Sequence, residues 1–327
     1  MKDNQSIKNG PIINICMSTY NGEQFIQKQI ESIQNQDYMN WRLLVRDDGS
    51  NDDTIKIIKY YSSRDSRIHF MENSSLKHMG VKKSFFALSF IQDADYYMFS
   101  DQDDIWKPSK ISVTLHEMNK HDQKRPLLVH TNYSVFNMNT NNARVSTNTY
   151  HNTNFKSLLL ANNITGCTCM FNKALRDMLM KDEIPYNKII MHDWWLAIVA
   201  SNFGEVYFID ESTIYYRQHA NNVVGAPRHN FLKKIGSRIL GKDSFNIEGI
   251  AIQAEAFYSI YNMKMSGSNR HNCEIIANLV VQWRPIHQLA KIVKNSLFMN
   301  SGLKNIQFML YIFFPLKMRK SLFGRVS

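Results

Sequence analysis

The acids of Asp101-Gln102-Asp103-Asp104 are the most chemically suggestive residues in this sequence. Carboxylates this close repel one another unless a cation sits among them. A divalent ion with oxygen ligands is the natural partner. Mg²⁺ or Mn²⁺ held there would also bind a diphosphate and neutralise its charge as it leaves. The same acids suit a helix N-terminus, so both readings stand open. Asp47-Asp48-Gly49-Ser50 and Ser18-Thr19-Tyr20-Asn21 are two further polar clusters. The first also reads as a plain β-turn whose glycine takes positive φ. There is no G-x-G-x-x-G and no Walker pattern, so a bound nucleotide is held differently from NAD or ATP in those folds. This counts against a dehydrogenase or a P-loop enzyme.

The elements needed to position these clusters are legible. Residues 12–17, 41–46, 67–71 and 96–100 read as strands. Between them, residues 22–36 carry Phe25, Ile26, Ile30 and Ile33 at helical spacing, and a second helix starts at Asp52-Asp53-Thr54. Residues 81–91 look helical, and Pro108 sits at another helix start. This alternation predicts an α/β fold with a mostly parallel sheet and helices on both faces. In such sheets ligands bind beyond the carboxyl ends of the strands. All three polar clusters follow predicted strands, so they should converge on one rim. Further on, residues 127–133, 167–171, 206–209 and 213–217 are expected as strands, 192–203 as a helix and the Asn- and Thr-rich stretch 137–154 as a mobile loop.

The chain has 327 residues and a net charge of +11, with 39 Lys and Arg against 28 Asp and Glu. Residues 228–327 hold 15 of the bases and 4 of the acids, so residues 1–227 balance at 24 of each. The shift predicts a domain over 1–227 and a basic, mainly helical region over 228–327. The basic region suits an anionic membrane face. Residues 228–240 pattern as an amphipathic basic helix, and the apolar run 308–314 precedes Lys317, Arg319, Lys320 and Arg325. Packing on the body or homo-oligomerisation is the alternative. No nucleic-acid motif is present. No run of 18 apolar residues exists, residues 1–10 carry no signal-peptide core, and four cysteines suit a reducing cytosol.

Taken together, and in this order, the three clusters resemble the family 2 glycosyltransferases of the GT-A fold. Thr165-Gly166-Cys167-Thr168, His192-Asp193-Trp194-Trp195 and Tyr216-Arg217-Gln218-His219 continue the resemblance, which covers about residues 11–225. It is closest to bacterial rhamnosyltransferases of cell-wall and capsular polysaccharide synthesis. Processive synthases are disfavoured, because their spanning helices and Gln-x-x-Arg-Trp signature are absent.

The resemblance implies roles. Thr19, Tyr20 and Asp48 would meet the nucleotide base, with the Asp48 carboxylate accepting the imide N–H of uracil or thymine and Asp47 supporting the turn. Asp101 would contact the ribose, and Asp103 with His219 the divalent cation. Asp104 would lie by the donor sugar or behind the metal ligands, and Gly166 by the donor sugar. Arg217 would face the diphosphate, as would Lys82 or Lys83, which stand where relatives carry an arginine; both lysines equally suit a solvent-facing helix surface. Asp193 is the candidate base, in a His-Asp pair where relatives often have Glu-Asp. Trp194 and Trp195 would either wall a sugar ring or belong to the core.

The implied reaction is single-displacement inversion, most simply L-rhamnose moving from dTDP-β-L-rhamnose to a hydroxyl of a lipid-linked glycan. The enzyme would work in the cytoplasm, peripheral to the inner face of the membrane. A UDP-hexose or UDP-N-acetylhexosamine donor is the nearest alternative, and a non-catalytic nucleotide-sugar or glycan-binding protein the next.

Overall fold

A computed structural model describes residues 10–72, 78–137, 142–146, 152–218 and 246–314. Its strands are β1 (Ile13–Thr19), β2 (Trp41–Asp47), β3 (Ile68–Phe70), β4 (Tyr96–Ser100), β5 (Ile105–Trp106), β6 (Leu127–Asn137), β7 (Asn142–Val145), β8 (Cys169–Asn172) and β9 (Glu205–Gln218). They form one sheet in the order β3-β2-β1-β4-β8-β6-β9-β5, with β7 beside β6. The first four in that order run parallel, as the alternating pattern requires. Antiparallel pairing begins where β8 joins β4, and β6 and β9 run parallel to one another. The fold is α/β of the expected GT-A type.

The parallel half is buried on both faces. Along β1, Ile13, Ile15 and Met17 point to one side, where they meet α1 (Ile26–Gln34), α2 (Thr54–Ser62) and α4 (Lys110–Met118) through Ile26, Ile30, Ile58 and Ile111. The opposite face is aromatic. There Phe85 of α3 (Gly80–Ile91) packs on Phe99, and Phe99 on Phe171. Two-sided burial explains why these strands read as continuous apolar runs.

Several elements differ from the sequence expectation. Residues 206–209 and 213–217 are parts of one long strand, β9, whose pairing with β6 shifts register around Asn132. Residues 166–168 are a single 3-10 turn, and β8 begins only at Cys169. The expected mobile loop over 137–154 contains β7, which pairs antiparallel with β6. Beyond residue 227, the described residues are helical: α8 (Ile247–Tyr261), α9 (Gly267–Val281), α10 (Pro285–Lys294) and α11 (Gly302–Phe313). The expected basic helix over 228–240 lies outside the described residues, as do His219 and the cations beyond residue 314.

The chain divides into two compact units. The first comprises Met1–Thr149, Ile164–Glu183 and Phe203–Ala226, and holds the sheet. The second gathers Tyr150–Asn163, Ile184–Asn202 and Pro227–Ser327. Two segments that a linear division at 227 assigns to the sheet domain thus cluster with the later helices. They carry α5 (Phe155–Leu160) and most of α7 (His192–Phe203). In the first unit, α6 (Lys173–Lys181) follows β8.

Candidate active site

The rim lies at the carboxyl ends of β1, β2 and β4. Thr19 is paired with Asp47, and Met17 with Ser100, so the three polar clusters emerge side by side. Asp47 builds the second loop: its Oδ2 accepts from the amides of Gly49 (2.9 Å) and Ser50 (2.7 Å), and its Oδ1 from the Ser50 hydroxyl (2.5 Å). Gly49 sits at φ +102°, which only glycine adopts freely. The Thr19 hydroxyl donates to Asp47 (2.9 Å) from a buried position. The Thr19 side chain therefore braces the turn. Tyr20, one residue on, is 49% exposed and offers a ring at the rim.

Asp48 anchors the loop to α3. Its Oδ1 accepts from the Met79 amide (2.8 Å) and its Oδ2 from the Gly80 amide (2.9 Å), so it caps the helix. The buried Arg46 completes an ion pair with it at 2.7 Å. A carboxylate oxygen can accept twice, so this bracing leaves capacity for a base imide. Lys82 and Lys83 lie in the first turns of the same helix; Lys82 is half-buried, which lowers its pKa, and Lys83 is exposed.

The acidic loop is joined to the first loop by a residue that sequence reasoning passed over. Gln102 accepts from the Tyr20 amide (2.9 Å) and donates to the Tyr20 carbonyl (3.0 Å). A Cβ on Gly22 would stand 2.3 Å from the Gln102 Oε1, so a side chain there would push the carboxamide off the Tyr20 backbone. The signal was present: a carboxamide between acids has a donor and an acceptor and suits a backbone edge.

The three acids are not equivalent. Asp101 and Asp103 are partly exposed, whereas Asp104 is wholly buried. Burial, then the charges of Asp101 and Asp103, push the Asp104 carboxyl well above the usual range, with the Cys167 thiol against it. Asp104 thus lies under the rim, and its expected contact with a donor sugar does not fit that burial. Gly166 is also buried, in the turn that places Cys167. Lys110 shares the space below: burial pushes its ammonium down to about 8, and its Nζ lies 4.8 Å from the Trp106 ring centroid.

Ligand atoms of Asp101, Asp104 and Cys167 lie within 4.8 Å of one another. The Cys167 thiol is pushed well up by burial and by the acids, so it stays protonated and suits no hard cation. The partly exposed carboxylates of Asp101 and Asp103 are oxygen donors of the kind Mg²⁺ and Mn²⁺ prefer. The mutual repulsion that acts on Asp104 is the field such an ion relieves. His219, the other expected ligand, lies outside the described residues.

Arg217, expected at a diphosphate, is engaged by backbone carbonyls. It is buried; it donates through Nε to the Asp103 carbonyl, and through Nη2 to the carbonyls of Phe25 (3.0 Å) and Asp104 (3.1 Å). A guanidinium spreads several donors in a fixed fork, which suits it to pinning a backbone. Arg217 positions the acidic loop from beneath.

In the second unit, Asp193 occupies the first turn of α7 and is 8% exposed. Its Oδ1 accepts from the Trp194 amide (2.7 Å) and from the Asn162 side chain (3.3 Å). Burial drives the pKa of the preceding His192 down to about 3, so that ring is neutral. The two tryptophans are core. Trp195 packs edge-on to Phe257, and the buried Trp194 donates its indole N–H to the Leu158 carbonyl (2.6 Å). Their burial favours the core reading of this motif over the sugar wall.

The first unit therefore has a GT-A architecture with acids gathered at its carboxyl rim, the construction of a glycosyltransferase. The family model for "Glycosyl transferase family 2" matches residues 14–181. The chain belongs to glycosyl transferase family 2. A dTDP-rhamnosyl transferase of Shigella flexneri, RfbG, is 29% identical over 224 residues, covering 64% of this chain and 74% of that protein. An Escherichia coli glucosyltransferase, WfgD, is described as UDP-Glc:alpha-D-GlcNAc-diphosphoundecaprenol beta-1,3-glucosyltransferase. It is 32% identical over 130 residues, 39% of this chain and 48% of that one. Among solved structures, residues 1–349 of S. aureus TarS in complex with UDP-GlcNAc align with TM-score 0.52 and 15% identity, over 96% of this chain and 93% of that chain. The Pyrobaculum calidifontis mannosyltransferase PcManGT, with GDP-Man and Mn²⁺, gives 0.51 and 11%, over 94% and 86%. At such identities these structures speak for the fold.

Proposed function

We propose that this chain is an inverting, metal-dependent glycosyltransferase that moves L-rhamnose from dTDP-β-L-rhamnose to a hydroxyl of a growing, lipid-linked cell-surface polysaccharide. The observation that carries this reading is the braced rim, where the loops after β1, β2 and β4 are tied together around Asp101 and Asp103. The rhamnosyl donor is supported by the likeness to the Shigella enzyme.

Tyr20 and Asp48 take the nucleotide base, Tyr20 by its exposed ring and Asp48 by accepting the imide N–H. Asp101 holds the ribose. Lys82 or Lys83 meets the phosphates. Asp103, with Asp101 beside it and His219 as the further candidate, would hold a divalent cation, which when bound supplies charge neutralisation for the departing nucleoside diphosphate. Asp193 accepts the proton of the acceptor hydroxyl as its oxygen bonds to the anomeric carbon and the bond to the diphosphate breaks. Asn162 and the Trp194 amide orient that carboxylate. A β-linked donor then yields an α-rhamnoside. The acceptor sits at the inner face of the membrane.

The likeness to the Escherichia coli enzyme favours a second reading, the same chemistry with a UDP-sugar. A donor screen separates the two: nucleoside diphosphate release from dTDP-rhamnose, UDP-glucose and UDP-N-acetylglucosamine, with and without Mn²⁺. Preferred, Mn²⁺-dependent turnover of dTDP-rhamnose is expected. Turnover of UDP-sugars alone overturns the rhamnosyl reading, and release from none of these donors overturns the transferase reading for this donor set.

A further inference from the structure

We propose that α10 and α11 form a docking face for an anionic lipid bilayer, because each helix leaves an apolar stripe uncovered within a segment that carries only positive charge. The proposal goes beyond the reaction above and does not depend on which sugar is transferred.

The stripe on α11 consists of Leu303, Ile306, Leu310 and Phe313, with Ile306 55% and Phe313 49% exposed. At 3.6 residues per turn these four fall within an arc of about 80°. The opposite face holds Gln307, Phe308, Tyr311 and Ile312, all buried. The helix is thus already packed on one side and apolar on the other, which water alone does not favour. The neighbouring α10 repeats the arrangement: Gln288 and Ile292 are buried, while Ile286 and Val293, seven residues apart on one face, are exposed. Trp283 and Phe298, at the two ends of α10, are also exposed.

Charge identifies the occupant. From residue 281 to 327 the sequence has eight Lys and Arg and no acid; Arg284, Lys291, Lys294 and Lys304 fall within the described helices or beside them. A second copy of the same face would bring like charges together, whereas anionic headgroups complement them. The exposed Lys294, next to Val293, can reach headgroups while its stem lies along the acyl boundary. No helix among the described residues is long and apolar enough to cross a membrane. Twelve residues of α-helix span about 18 Å against a hydrocarbon core of about 30 Å, so α11 would lie along the interface.

Flotation of the full chain with vesicles of phosphatidylcholine, with or without phosphatidylglycerol, tests this. The protein should float with the anionic vesicles and far less with the neutral ones. Ile306→Glu with Leu310→Glu should weaken flotation by roughly a hundred-fold, since each of the two aliphatic side chains is worth about ten-fold in binding when buried. Thermal unfolding and nucleotide affinity should not change. The variant Lys291→Gln, Lys294→Gln should weaken anionic binding while leaving the fold intact. Absence of flotation by the parent chain overturns the proposal, as does equal flotation of both variants. A dimer on size exclusion that the double glutamate variant dissolves, without any vesicle binding, would assign the face to self-association instead. Donor turnover in solution is read separately, so neither result bears on the transferase reading.

Discussion

The side chain of Gln102 and the backbone of Tyr20 are joined twice, by a donated and an accepted hydrogen bond, so the acidic loop after β4 and the loop after β1 are held as one piece. Gln102→Ala should remove that coupling, raising the donor KM by roughly ten-fold with little loss of stability, because the pair is exposed. Gly22→Ala should act on the same pair, since its Cβ would collide with the carboxamide. In a double-mutant cycle measured by donor KM, Gly22→Ala should cost clearly less once Gln102 is alanine. Simple additivity would disprove the coupling.

Arg217→Lys should be a stability variant. A lysine cannot span the carbonyls of Phe25, Asp103 and Asp104 that Arg217 reaches. Buried carbonyls left without donors cost about 1–3 kcal/mol, read as a lower midpoint of denaturant unfolding. If stability is unchanged and only donor KM rises, Arg217 acts on the diphosphate after all.

The parallel half of the fold was legible because two-sided burial writes itself as apolar runs between polar strand ends. Asp47 as the support of its turn was implied by the family resemblance, and its partners Gly49 and Ser50 are near neighbours in the chain. What the sequence did not show depends on contacts across long separations. Arg217 looks like an anion binder until its partners prove to be carbonyls distant in the chain, and Trp194 and Trp195 look like a sugar platform until α7 proves to be buried nearly all round. Asp104 reads like its neighbours, yet the strand pair β4–β8 puts Cys167 against it and closes it off. β5 is two residues long and exists only because β9 runs past it.

His192 should make the protein acid-sensitive. Its folded pKa, about 3, lies below the ordinary 6.5 because burial disfavours the charged ring. The unfolded chain therefore binds a proton the folded chain refuses, so this group's stabilisation is whole above pH 6.5 and falls as pH drops toward 3. The loss amounts to about 2 kcal/mol by pH 5. Denaturant unfolding at pH 7.5 and 5 should show a smaller difference for His192→Gln than for the parent; equal differences would show that His192 does not contribute.

Trp195→Ala should cost about 3–5 kcal/mol, the usual consequence of emptying a wholly buried indole site. Donor and acceptor KM of the fraction that remains folded should be near the parent's. A stable variant with a selectively raised acceptor KM would restore the tryptophan to the sugar site.

The most direct measurement compares Asp193→Asn with the parent chain for sugar transfer and for nucleoside diphosphate affinity. The amide keeps the shape of the side chain and removes its capacity to take a proton. Transfer should fall by about 10²–10⁴-fold while nucleotide affinity stays within about two-fold. Near-normal turnover by Asp193→Asn would contradict the assignment of Asp193 as the base and, with it, the proposed mechanism.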